Sequence, residues 1–191
     1  RDILSRNTGA TIIYDVKCSR HLGPVIKQAG GHPLMWKTGH SLVKAKMKET
    51  GALLGGEMSG HIFFKERWLG FDDGLYTAAR LLEIFAKSNQ TVSSMFEVIP
   101  DDVSTPELNI EVPDTEKFAI VERVASIIAD QGLPLSTIDG VRVDLDSGWG
   151  LIRSSNTTPN LVLRFEAEST EALAEIQSTI LDALRQAEPT L

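Results

Sequence analysis

TIIYDVKCSRHLGPVIKQAGGHPLMW, residues 11–36, decides how the first half of this chain is built. Residues 11–16 (TIIYDV) are rich in β-branched side chains and predict a short strand. A polar turn follows, and residues 19–28 predict a helix. Gly30 and Gly31 end it, because glycine accepts the left-handed backbone that closes a helix. Residues 33–36 predict the next short strand. The alternation then continues, with helical spacing and lysines over residues 41–49 and apolar strand-like runs at 52–54 and 61–64. Residues 72–87 predict the clearest helix, with Asp72 and Asp73 in its first turn, an alanine–leucine face and a late Lys87, as the helix dipole favours. Strands separated by helices imply an α/β unit of βαβ type with a mainly parallel sheet. Ligand loops of such sheets lie at the carboxyl ends of the strands. Lys17, His40 and Glu57 each follow a strand or a turn leaving one, so they are placed to share a rim.

The pattern changes after residue 100. The stretch PDDVSTP (residues 100–106) is polar and bracketed by prolines, and it reads as a linker between a domain at 1–100 and a second at 101–191. Charge breaks at the same place. Residues 1–100 hold 13 Lys/Arg and 9 Asp/Glu, a balance of +4, and residues 101–191 hold 6 and 17, a balance of −11. In the second half, residues 107–112, 140–145, 150–154 and 161–167 predict strands, and 115–130 and 171–188 predict helices. Strand, helix, three strands, helix is an α+β order, with an antiparallel sheet covered by two helices.

These balances exclude some functions. An acidic second half, and a first half without a run of arginines and interleaved aromatics, argue against nucleic acid, which demands clustered cations. No apolar run reaches membrane-spanning length, so no membrane partner is expected. A single cysteine, Cys18, allows no internal disulfide and fits a cytoplasmic location. The opening residues, RDILSR, read as the last turns of a helix without a cap or a starting methionine, the expected appearance of a piece of a longer protein.

Two segments carry chemistry. GEMSGH (residues 56–61) puts a carboxylate, a hydroxyl and an imidazole within five residues on a backbone loosened by Gly55, Gly56 and Gly60. Glu57 can accept hydrogen bonds from two adjacent alcohols, and Ser59 can both give and take, an inventory suited to a sugar. A polar turn between two strands explains the same residues without a ligand. RSSNTTP (residues 153–159) sets one guanidinium among hydroxyls and an amide between two strands. Arg153 with Ser155, Asn156 and Thr157 suits phosphate oxygens, which arginine meets bidentately, although Ser, Asn and Thr are also ordinary turn residues. His40, in TGHS (residues 38–41), stands where a helix N-terminus can face an anion. Lys17 is either a substrate contact or a solvated cation. His61 opens a strand and has a structural reading too. No set of His, Cys, Asp and Glu has metal-ligand spacing along the chain, and no P-loop or GxSxG occurs.

Taken together, GEMSGH, the following FFKERWLGFDD (63–73), WKTGHS (36–41), DVKC (15–18) and RSSNTTP resemble the α-D-phosphohexomutases in the right order over the whole chain. The branch that it resembles most is the bacterial phosphomannomutase/phosphoglucomutases. The resemblance implies the third domain of four, shortened at its start, followed by the fourth, an antiparallel sheet with two helices like that of the TATA-binding protein. It implies an isomerase that interconverts the 1- and 6-phosphates of glucose and mannose through a phosphoserine, with Mg2+ and a glucose 1,6-bisphosphate intermediate. By position, Lys17, His40, Glu57, Ser59, Arg153, Ser155, Asn156 and Thr157 match substrate contacts, with Glu57 and Ser59 on ring hydroxyls and the loop at Arg153 on phosphate. His61 matches a histidine near the reacting oxygen. Met58 favours this branch over the phosphoglucosamine mutases, which stay the alternative together with a non-catalytic sugar-phosphate-binding module. The family's serine loop and its Asp-x-Asp-Gly-Asp metal loop have no counterpart here. The resemblance therefore implies partner domains one and two, a monomeric whole protein, no catalytic or metal-binding residue in this stretch, and no turnover by this stretch alone.

Overall fold

In the computed structural model, which describes residues 1–191, β1 (Thr11–Asp15) is a central strand whose neighbours in sequence point to opposite faces. Ile12 packs with Ile3, Leu4 and Ile26 on one side, while Ile13 packs with Val43, Met47, Ala52 and Phe63 on the other. A short α1 (Leu22–Gln28) connects β1 to β2 (His32–Trp36), and α2 (His40–Thr50) connects β2 to β3 (Leu54–Gly56). β1 runs parallel to both β2 and β3, and β4 (Ile62–Phe64) closes the order β2-β1-β3-β4 as an antiparallel edge. The expected α/β layout is present. α3 (Gly74–Lys87) and α4 (Val92–Phe96) complete this unit, which spans Arg1–Asp101.

Local boundaries differ from the sequence reading for physical reasons. The strand expected at 52–54 lies at Leu54–Gly56, two residues on. Gly55 is needed there because α2 presses close: a Cβ on Gly55 would stand 2.8 Å from Val43 Cγ1 and 3.0 Å from Met47 Sδ. The helix expected from residue 19 starts at Leu22, since the chain between is a turn in which Leu22 N–H donates to the Ser19 carbonyl. The opening residues form hydrogen-bonded turns rather than the end of a helix. Only one of the two aspartates expected in the first turn of α3 serves it: Asp73 is the N-cap, its Oδ1 accepting from Tyr76 N–H at 2.9 Å. α4 was not expected; it is one short turn capped by Thr91, too brief for periodicity to show.

The second unit, Asp102–Leu191, is built on β10 (Asn160–Ala167) and β9 (Gly148–Ser154), the longest pair. In chain order it runs β5 (Val103–Ser104), β6 (Leu108–Glu111), α5 (Lys117–Asp130), β7 (Leu135–Ser136), β8 (Val141–Leu145), β9, β10 and α6 (Thr170–Ala187). The sheet is antiparallel throughout, in the order β5-β10-β9-β8-β7, and β6 pairs with the other end of β10. The expected α+β order holds, with two two-residue strands added. One of them, β5, lies inside the stretch expected to be a linker: Val103 and Ser104 pair with Ala167 and Glu166, and Thr105 N–H donates to the Phe165 carbonyl at 3.0 Å. Exposed polar residues suit an edge strand as well as a loop, and composition alone does not separate the two.

α5 and α6 cover one face of this sheet over Ile152, Leu161, Leu163, Phe165 and Val141. Gly150 lets α6 approach, since a Cβ there would meet Ile180 Cδ1 at 2.6 Å, Ile176 Cγ2 at 2.9 Å and Phe165 Cδ1 at 2.9 Å. The opposite face buries Trp149 and Leu151. Arg142 lies over the Trp149 ring, 3.9 Å from its centroid, and binds Asp144 through Nε and Nη2.

Candidate substrate site

Asp15, the last residue of β1, is fully buried and holds three loops together. Its Oδ1 accepts from Lys17 N–H at 3.2 Å, Met58 N–H at 3.3 Å and the Cys18 thiol at 3.1 Å, and its Oδ2 accepts from Thr38 Oγ1 at 3.2 Å. A buried carboxylate is costly unless such donors surround it. These donors come from the loops after β1, β2 and β3, the carboxyl ends of the three parallel strands. Glu57 adds a second tie, its Oε1 accepting from Gly39 N–H. Lys17, His40 and Glu57 are therefore on one rim, as the alternation of elements suggested.

GEMSGH is both a hairpin turn and a constellation of polar groups. Glu57 N–H donates to the His61 carbonyl and Gly60 N–H to the Glu57 carbonyl, both at 2.9 Å, with Gly60 at φ 91°. That left-handed backbone needs glycine. Glu57 is buried, and Ser59 is exposed at the tip. With one carboxylate oxygen on the Gly39 amide, Glu57 is held in place by the backbone that precedes His40, the first residue of α2. Glu57 can accept hydrogen bonds here, and the Ser59 hydroxyl can give or take them.

His61 is oriented by Asp72. Its Nδ1 lies 2.7 Å from Asp72 Oδ2, while Asp72 Oδ1 accepts from Ile62 N–H at 3.2 Å. A carboxylate on Nδ1 selects the tautomer that carries its proton there and leaves Nε2 as a base. The His40 ring meets the His61 ring edge-on, with centroids 4.2 Å apart. Asp15 and Asp72 were not singled out from the sequence. The available signals were a polar residue closing an otherwise apolar strand in TIIYD, and an Asp-Asp-Gly in which one helix N-terminus can use only one cap.

The loop at residues 153–158 belongs to the second unit, at the end of β9. Arg153 is buried, and its guanidinium is held by Asp139, Nε to Oδ2 at 3.0 Å and Nη2 to Oδ1 at 3.3 Å. The sequence reading expected a cation surrounded by neutral donors; an acidic partner fourteen residues away lies against it. Two of the five guanidinium N–H groups go to Asp139, and three are left for another acceptor. Ser155 Oγ gathers the turn, accepting from Thr157 N–H at 3.3 Å, Thr158 N–H at 3.2 Å and Thr158 Oγ1 at 2.8 Å. Asn156 and Thr157 are exposed at its tip. Ser154 Oγ donates to the Lys117 carbonyl at 3.0 Å, and Lys117 Nζ returns a bond to the Thr158 carbonyl at 3.2 Å, so the loop is tied to the start of α5 from both ends.

Comparison with known proteins agrees with this architecture. Residues 1–102 match the phosphoglucomutase/phosphomannomutase α/β/α domain III, and residues 107–183 match the phosphoglucomutase/phosphomannomutase C-terminal domain. The chain belongs to the phosphoglucomutase/phosphomannomutase family. It is 59% identical to a phosphomannomutase/phosphoglucomutase of Pseudomonas putida, covering 100% of this chain and 41% of the relative. It is 52% identical to a phosphoglucomutase of Neisseria gonorrhoeae, covering 93% of this chain and 39% of the relative. Among solved structures, a phosphoglucomutase/phosphomannomutase family protein of Burkholderia thailandensis superposes with a TM-score of 0.90 at 54% identity, over 98% of this chain and 40% of that one. The chain thus spans about two fifths of the length of these relatives. No helix is long and apolar enough to cross a membrane.

Proposed function

We propose that this chain is the substrate-recognition half of a phosphoglucomutase/phosphomannomutase whose whole protein interconverts the 1- and 6-phosphates of glucose and mannose. The observation that carries the reading is the rim organised by Asp15, where Lys17, His40 and Glu57 share the carboxyl ends of parallel strands. In this reading Glu57 and Ser59 take adjacent ring hydroxyls, Lys17 and His40 take further sugar or phosphate oxygens, and His61 supplies its Nε2 near the reacting oxygen. The loop of Arg153, Ser155, Asn156 and Thr157 takes the phosphate that is not being transferred. A sugar that must react at either end needs contacts indifferent to its direction, and one carboxylate with one hydroxyl can serve both. The wider scheme has a phosphoserine as donor, glucose 1,6-bisphosphate as intermediate and a cytoplasmic, monomeric protein, and it belongs to this proposal.

Mg2+ belongs to it as well, but these residues do not fit that ion. Mg2+ takes an octahedral shell of oxygens, whereas His40 and His61 bring two nitrogens to the carboxylate of Asp72. The Mg2+ ligands and the phosphoserine are assigned to the domains that the relatives carry in addition to the part matched here, and no step is routed through them.

Titration calorimetry of the chain with glucose 1-phosphate, alongside a coupled mutase assay, tests the reading. Hexose phosphate binding without turnover is expected. Arg153→Ala should weaken that binding by about 1.5–3 kcal/mol, the range of a hydrogen bond to a charged group. Turnover by the chain alone, or unchanged affinity in Arg153→Ala, would overturn it.

A further inference from the structure

We infer that His40, His61 and Asp72 form a binding site for a borderline transition-metal ion such as Zn2+, at the rim of the first unit. One ligand atom from each of the three lies within 4.8 Å of the other two. Asp72 Oδ2 stands 2.7 Å from His61 Nδ1 and 3.9 Å from His40 Nε2. Tetrahedral zinc with bonds of about 2.0–2.1 Å needs donor atoms roughly 3.3 Å apart. The first distance must open and the second close by about 0.6 Å each, within reach of side-chain rotation.

Three observations favour a metal over a chance meeting of polar groups. The ligands come from separate elements, His40 from the start of α2, His61 from the turn before β4 and Asp72 from the approach to α3. Asp72 is fixed through Oδ1 by Ile62 N–H, leaving Oδ2 as the ligand atom. The donor chemistry is selective: two imidazoles and one carboxylate suit zinc, nickel or copper and do not suit Mg2+ or Ca2+. The side chains of His40, His61 and Asp72 are 49%, 43% and 26% exposed, so an ion can enter and keep an open coordination position for water. Binding at His61 Nδ1 replaces its hydrogen bond to Asp72 and moves the ring proton to Nε2, so the imidazole stays neutral. Because the site is defined by protein ligands alone, it stands whether or not the rim binds a sugar. If it does bind one, as proposed above, the ion occupies His40 and His61 and competes with it.

The test is titration of this chain with ZnCl2 alone, without hexose phosphate, followed calorimetrically. One equivalent of zinc is expected. His40→Gln, an exposed change at the first residue of α2, should weaken binding at least tenfold, as should Asp72→Asn, while Cys18→Ser leaves it unchanged. With Co2+ as the probe, weak d–d bands without a thiolate-to-metal charge-transfer band are expected. No binding at micromolar zinc, binding unaffected by His40→Gln with an unchanged circular dichroism spectrum, or a thiolate band abolished by Cys18→Ser would each overturn the inference. Loss of glucose 1-phosphate binding with zinc binding intact would count only against the proposed function.

Discussion

Asp139 grips the guanidinium of Arg153 bidentately, at 3.0 and 3.3 Å, so the cation proposed above to meet a phosphate already carries an anion. Gly140, at φ 80°, lets the loop of Asp139 come this close, because a Cβ there would lie 2.5 Å from Arg153 Cβ. The pair fixes the direction of the remaining N–H groups and cancels much of their charge. Orientation is gained at the cost of attraction.

Removing the anion while keeping an acceptor should reverse that balance. Asp139→Asn keeps an amide oxygen on Arg153 and restores one net positive charge, so phosphate ligands should bind roughly threefold more tightly, about 0.6 kcal/mol. The gain should shrink at high salt, since it is electrostatic. Calorimetry with glucose 1-phosphate at two ionic strengths measures it; weaker binding would mean that orientation by the carboxylate matters more than its charge.

Asp15 predicts a stability effect in the first unit. Asp15→Asn replaces one acceptor oxygen by an NH2 group facing amide or hydroxyl donors, which leaves buried donors unmatched. A loss of about 1–3 kcal/mol is expected, read from urea unfolding with the slope unchanged. Loosening of the loops after β1, β2 and β3 should accompany it as faster amide exchange at Met58 and Lys17.

Gly150 predicts an overpacking effect in the second unit. A methyl group there would meet Ile176, Ile180 and Phe165 at 2.6–2.9 Å. Gly150→Ala should therefore destabilise by about 1–3 kcal/mol despite adding apolar surface. Pairing it with Ile180→Val, which shortens the side chain in the way, should recover part of the loss, and thermal unfolding of the four variants of that cycle shows whether it does.

Acid should weaken the first unit through Arg80. Its guanidinium is buried, lies 4.6 Å from the Phe64 ring centroid, and pairs with Glu66 at 2.6 Å and Asp2 at 3.5 Å. Burial pushes the Glu66 carboxyl up, but the hydrogen bond and charge of Arg80, helped by Arg67 and Arg6, hold it below its usual value. Asp2 is also held low, chiefly by Arg6. Groups lowered on folding stabilise above their unfolded values, about 4.3 for Glu and 3.9 for Asp, and that contribution disappears as pH falls through the folded values. Stability should be level near neutrality and drop below about pH 4.5. In Glu66→Gln that drop should be shallower, which a urea series from pH 3 to 7 would show.

Much of this molecule was legible in its sequence where the cause is local. The α/β and α+β order follows from periodicity and glycine breaks, and β8, β9, β10, α5 and α6 lie close to the expected residues because each is long enough for its pattern to repeat. Short elements were not legible: β5, β7 and α4 have two to five residues, and their formation depends on an edge or surface offered by something else. Among the candidate site residues, Lys17, His40 and Glu57 could be placed on one rim because strand order alone puts their loops at the same end.

By itself the sequence determined the alternation that builds each part and the residue types on offer to a sugar and a phosphate. Only the tertiary structure decided who partners whom. Asp15 reaches Met58 across 43 positions, Arg153 reaches Asp139 across 14, and His61 reaches Asp72 across 11. Periodicity reports which face a side chain occupies, and it is silent on which distant loop folds back to meet it. Those pairings depend on burial, which makes each unmatched charge expensive and selects the arrangement in which a partner is near.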